Sequence, residues 1–181
     1  MTWDTFHRRG EVLRAVLDEA DARQDGTIPM EVPGVADTFG DELTLIAALQ
    51  LRWHTQLAGT IEHELMEQPL DLESAVISAW CRTATELSGI RAIIDNYADA
   101  PTSELMAHAL TKARRKDWEL MAAMAGKAGI ADRGAAAVGR AVEERARHAH
   151  RPIVSVRGRP RESGERRHGS LLDRFKAHLA A

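Results

Sequence analysis

The stretch RWHTQLAGTIEHELMEQ, residues 52–68, gathers two histidines, His54 and His63, with the carboxylates Glu62, Glu64 and Glu67. Imidazoles and carboxylates brought onto one helix face can hold a metal ion or relay a proton. His54 and His63 are nine residues apart, about 13 to 14 Å along a helix axis, too far to share one ion. The workable couples are spaced i,i+4: His63 with Glu67, and, farther along, Glu104 with His108. Two helices that each gave one histidine and one carboxylate would make a credible non-haem metal site.

The helical wheel argues against that site. At about 100° per residue, Glu104 and His108 lie opposite the apolar stripe centred on Met106 and Ala109, and His63 and Glu67 fall on a flank. Metal sites in bundles draw their ligands from inward faces. No Glu-x-x-His of the ferritin-like kind occurs in the helical segments. The His-x-x-x-His that would complete a hemerythrin-like set is absent as well. The expectation is no metal and no cofactor.

Three polar residues do fall on apolar stripes: Gln50, Glu64 and Asp117. Buried acids need partners, and Arg91, at the border of a neighbouring stripe, could supply one. Two readings stay open. One is a polar pocket around a carboxyl with a raised pKa. The other is an interhelical hydrogen bond, or a helix-end residue reaching solvent. Cys81 is the only cysteine, so an intramolecular disulfide is impossible and the residue reads as a small packing side chain. There is no Walker A loop, no G-x-G-x-x-G, no G-x-S-x-G and no H-E-x-x-H. No catalytic residue is assigned.

The elements that must carry these side chains are helical. Of the 181 residues, 44% are hydrophobic, Ala dominates that set, and only 4% are aromatic, a balance that favours helix over strand. Five segments show helical periodicity. The first, near 3–23, stripes Trp3, Phe6, Gly10, Leu13, Leu17 and Ala20. The second, near 40–67, stripes Leu43, Ile46, Leu49, Trp53, Leu57 and Ile61, and stops at Pro69. The third, near 71–98, is capped by Asp71 and carries Val76, Trp80, Leu87, Ile90 and Ile94, with Gly89 inside as a place to bend. The fourth, near 103–127, has Thr102 as its cap candidate and stripes Met106, Leu110, Leu120, Met121 and Met124. The fifth, near 131–149, offers the small residues Ala135, Val138, Val142 and Ala146, which suit a groove. Between the first two segments, residues 25–40 form a long Gly- and Pro-rich connection with Ile28, Met30 and Val32 alternating. It reads as a crossover, with a lid as the other reading.

The expected fold is therefore all-α: an antiparallel four-helix core with a fifth, Ala-rich helix and a basic, largely irregular C-terminal tail. The division is a bundle domain over 1–149 and a tail over 150–181 that ends in a short amphipathic helix. Charge follows the same division. Residues 145–181 hold ten Lys or Arg and three acids, a net of +7. Residues 1–144 hold 14 basic and 24 acidic residues, a net of −10.

No apolar run reaches the roughly 18 to 20 residues of a membrane helix, and the N-terminus carries no secretory signal, so a cytoplasmic protein without membrane contact is expected. The functional expectation is a non-enzymatic bundle protein that binds a macromolecular partner. The contact element would be the tail residues Arg151, Arg157, Arg159, Arg161, Arg166, Arg167 and Phe175. A protein partner or self-association is expected, with weak, non-specific and salt-dependent contact to nucleic acid. The alternative is a small-molecule- or metal-binding bundle, an enzyme among the options, with its site between the second, third and fourth helices.

Overall fold

The computed structural model describes residues 3–129 and 132–150, with side chains from residue 7 onward. Seven helices follow in order: α1 Trp3–Arg23, α2 Val35–Phe39, α3 Glu42–Glu67, α4 Leu72–Glu86, α5 Ser88–Asp99, α6 Glu104–Met124 and α7 Ala135–Ala149. The chain is all-α, and no strand occurs among the described residues. None of these helices is long and apolar enough to cross a membrane. The tail, and with it the seven contact residues from Arg151 to Phe175, lies outside the described residues.

Side-chain caps fix three of the helix starts. Asp41 accepts a hydrogen bond from the Thr44 N–H at 2.7 Å, Asp71 from that of Ser74 at 3.0 Å, and Ser103 from that of Met106 at 3.2 Å. The cap of α6 is thus Ser103 rather than Thr102, whose hydroxyl turns to the Met106 sulfur instead. The helix α3 ends at Glu67, two residues before Pro69.

The third periodic segment is two helices, broken at Leu87. The hydrogen bonds run on through the break, from Leu87 N–H to Thr83 and from Arg91 N–H to Leu87. The Gly89 N–H donates instead to the Asp21 carboxylate on α1, at 2.8 Å. A Cβ at Gly89 would stand 2.4 Å from the backbone of Ala20, so the missing side chain lets the end of α1 lie directly against the bend.

The core is continuous from α1 to α7. Trp53, Leu45, Ile46, Leu49, Leu57, Ile61, Ile90, Ile93, Ile94, Met106 and Met121 are essentially inaccessible. Trp53 and Trp80 meet edge to face with ring centroids 6.0 Å apart, which joins α3 to α4 at the centre. On α1 the buried residues are Val12, Val16 and Ala20, with Leu13 and Leu17 half-buried beside them. The connection between α1 and α3 is packed as a crossover. Ile28, Val35 and Phe39 are buried, and Asn96 donates to the Gly26 carbonyl at 2.9 Å. Its second half is the short helix α2, which residues 25–40 do not announce by period.

Helix α7 lies against α4 and α6 through Ala135, Gly139, Val142 and Ala146. At Gly139 a Cβ would fall 1.8 Å from the Trp118 carbonyl oxygen. The two backbones therefore touch, as the small-residue stripe requires. A partly buried charge network secures the same helix. Arg147 reaches Asp95 with two nitrogens, at 2.8 and 3.0 Å, and Glu143 at 2.6 Å. Asp95 also accepts from Arg91 at 2.5 Å, and Glu143 from the Trp118 indole N–H. The Arg91 and Arg147 guanidinium groups stand 4.6 and 5.2 Å from the ring centroids of Trp53 and Trp80. Two cations face two anions, so the network is neutral as a whole. Against its burial, the hydrogen bonds from Arg147 and the charge of Arg91 hold the Asp95 carboxyl below its usual range.

Candidate functional site

Helices α4 and α5 intervene in sequence between α3 and α6, and the latter two lie side by side along one flank of the bundle. Along α6, Ala109, Ala113 and Asp117 recur every four residues and so share one face. Along α3, Ala47, Gln50, Leu51 and His54 form the facing wall. Where alanines meet, the helices leave space, and a cleft of about 310 Å³ opens between them, rimmed by Lys112 and Lys116. Its size is at the lower end of the range for small-molecule sites.

Asp117 closes one end of the cleft. It is buried, and both of its oxygens are engaged across the interface. Gln50 Nε2 donates to Oδ2 at 2.8 Å, and His54 Nδ1 lies 2.6 Å from Oδ1. When Asp117 is ionised it can only accept, so His54 then donates from Nδ1 and Nε2 is the remaining ring position. The histidine is the accessible member, with 37% of its side chain exposed against 8% for Asp117. Burial pushes the Asp117 carboxyl above the usual carboxylate range, and the hydrogen bond from His54 works in the other direction. The hydrogen bond to Asp117 raises the His54 pKa, against burial and the nearby Lys116. Gln50 Oε1 is buried and has no partner among the described residues. The amide is thus committed to presenting its N–H to the carboxylate.

This arrangement gives a half-open imidazole oriented by a buried acid, which when ionised also sets its tautomer. Such a group can accept or donate a proton at Nε2, or hydrogen-bond a bound molecule there. A single histidine beside one carboxylate does not hold a metal by itself. Among the described residues, no group of three or more His, Cys, Asp or Glu stands close enough to do so.

The sequence placed Gln50 and Asp117 on core faces, and both are buried there. Their partner is His54, one turn beyond Gln50 on the same face of α3, so the i,i+4 spacing placed it beside Gln50 but not against Asp117 of α6. Arg91, which the sequence offered as a partner, makes its ion pair with Asp95 and reaches Asp117 through its charge alone, which lowers the Asp117 pKa. Glu64 is half-buried and bonded to Arg82. His63, Glu67, Glu104 and His108 are all exposed. Cys81 faces α7, its thiol 3.4 Å from the Ala146 carbonyl and pushed up in pKa by burial. Sequence reasoning passed over Asp95, Glu143 and Arg147. The i,i+4 spacing of Arg91 with Asp95 and of Glu143 with Arg147 was the available signal.

Compared with known proteins, the chain matches no family model, no curated protein and no solved structure.

Proposed function

We propose that this bundle binds a small molecule in the cleft between α3 and α6 and contacts it through His54 Nε2. The observation that carries the reading is Asp117. A carboxylate at the end of a cleft, with both oxygens engaged, fixes the one imidazole that the cleft exposes. Burying a carboxyl is costly, and here the cost secures a defined histidine tautomer at an opening. Nitrogen-detected NMR of the histidine rings tests it. The His54 ring is expected in the form protonated at Nδ1, and its Nε2 signal should move on screening with a fragment library. A ring that tautomerises freely, and that no fragment perturbs, would end this reading.

A second reading rests on the charge separation in the sequence, an acidic body followed by an Arg-rich tail. In it, Arg151, Arg157, Arg159, Arg161, Arg166 and Arg167, together with Phe175, contact an acidic partner surface. Guanidinium groups suit bidentate pairing with carboxylates. Pull-down from native lysate with the full chain and with a chain ending at residue 150 tests it. Capture that is the same for both would remove the tail from consideration.

A further inference from the structure

The cleft does not end at the alanines. At Ala47, Leu51 and Ala109 it shares its wall with a wider, shallower groove of about 700 Å³, which runs over α3 toward Leu13 of α1 and Leu43 near the start of α3. Leu51, on the shared wall, is 65% exposed. An exposed leucine between two adjoining hollows gives an apolar track leading away from a polar end.

The polar end is cationic. Lys112 and Lys116 are exposed on the cleft rim, and among the described residues neither has an ion-pair partner. The one carboxylate in the cleft lining, Asp117, is already engaged by Gln50 and His54. A ligand entering the cleft thus meets two uncompensated ammonium groups and an imidazole N–H or lone pair, and then a mainly apolar surface edged by Thr44, Thr55, Arg9 and Arg52. From His54 to Leu43 is eleven residues of helix, a track of roughly 16 Å.

Resting on the cleft reading above, we infer that the ligand is an amphipathic monocarboxylate: an acidic head between Lys112, Lys116 and His54, and an unbranched hydrocarbon chain laid over Leu51 toward Leu13 and Leu43. The head satisfies charges that the protein leaves open. The chain covers apolar surface that the fold leaves exposed. The stem of Arg52, which lines the groove, can lie along the chain with its guanidinium in water.

The test uses the full-length protein and four probes below any micelle-forming concentration: decanoate, acetate, decanol and decyltrimethylammonium. Binding is followed by calorimetry and by the His54 ring signals. Decanoate is expected to bind and shift His54, with the other three weaker by roughly tenfold or more. The exposed-site variants Lys112→Gln/Lys116→Gln and Leu51→Ser should each weaken decanoate by about tenfold while leaving the melting temperature near that of the parent. Decanoate and decyltrimethylammonium binding equally well, or decanoate binding unaffected by either variant, would mean surfactant adhesion and overturn the inference. If decanol or the cation shifts His54 and decanoate does not, the ligand class is wrong and the cleft reading stands. If no probe and no library fragment moves His54, both fail together.

Discussion

Replacing Gly139 with alanine tests how α7 is held. In an exposed helix that change is favourable by about 1 kcal/mol, because alanine loses less backbone freedom. Here the new Cβ would fall 1.8 Å from the Trp118 carbonyl oxygen and 2.4 Å from its carbon. These are backbone atoms inside α6, and they cannot rotate away as a side-chain end would. Restoring ordinary contact requires α7 to retreat by roughly 1.5 Å, and a radial gap of only 0.5 to 1 Å already forfeits a quarter to a half of a dispersion contact. The loss falls on Ala135, Val142 and Ala146, all inaccessible in the parent, and it stretches the 2.8 Å pairing of Arg147 with Asp95.

Overpacking of this kind costs typically 1 to 3 kcal/mol. With the helix gain subtracted and the loosened ion pairs added, a net destabilisation of about 2 to 3 kcal/mol is expected, or a fall in Tm of about 5 to 10 °C. Gly59→Ala is the control. Gly59 sits inside α3, and its Cβ would meet nothing within 4 Å. That variant should gain about 0.5 to 1 kcal/mol. The readout is a thermal melt followed by circular dichroism for both proteins side by side. Opposite signs support the close approach of α6 and α7; a Gly139→Ala protein that melts at or above the parent temperature would refute it.

Trp53→Ala should cost about 3 to 5 kcal/mol, measured by denaturant titration, because the ring is fully buried against Trp80. Asp117→Ala strands the Gln50 amide and frees the His54 ring, and a loss of about 1 to 3 kcal/mol is expected in the same assay. The raised pKa of His54 adds stability that is fully present below its unfolded value near 6.5 and is lost as pH climbs through the folded value. The gap in Tm between the parent and His54→Gln should therefore narrow as pH is raised from about 6. An unchanged gap would show that the Asp117 contact does not hold the imidazolium. The Cys81 thiol, raised in pKa by burial against α7, should react with a disulfide reagent at pH 8 much more slowly in the native than in the unfolded chain.

What the sequence disclosed about this fold was what local periodicity can carry. Trp53 and Trp80 sit on stripes that are apolar at every third or fourth position, and both are core residues. Gln50 and Asp117 stood out because a polar side chain on such a stripe has to find a partner inside. Their union with His54 was not legible, because it depends on how α3 and α6 are rotated about their own axes, and a single-helix wheel leaves that rotation free. The break at Leu87 has a similar origin. Gly89 marked a place where bending was possible, but the bend answers Asp21 and Ala20, 68 and 69 residues earlier in the chain. Residues 35–39 escaped notice because one turn and a half between Gly34 and Gly40 is too short to show a period. Arg91, at a stripe border, signalled a pairing inside, but Arg147 read as a surface charge by type, and only the tertiary structure brings it to half-buried Asp95 and buried Glu143.

The contact at Gly139 has a bearing on registry. A helix lined with alanines is nearly self-similar, and its apolar packing alone would tolerate sliding along α6 by a turn in either direction. Gly139 is the single glycine within α7, so a slip of one turn presents Ala135 or Glu143 to the Trp118 carbonyl, and either carries a Cβ where none fits. The same slip takes Arg147 about 5.4 Å along the helix axis from Asp95 and leaves a half-buried guanidinium without its anion. A steric check and an electrostatic check thus select the same alignment. The smallest side chain of α7 and one of its largest together make a featureless surface dock in one place.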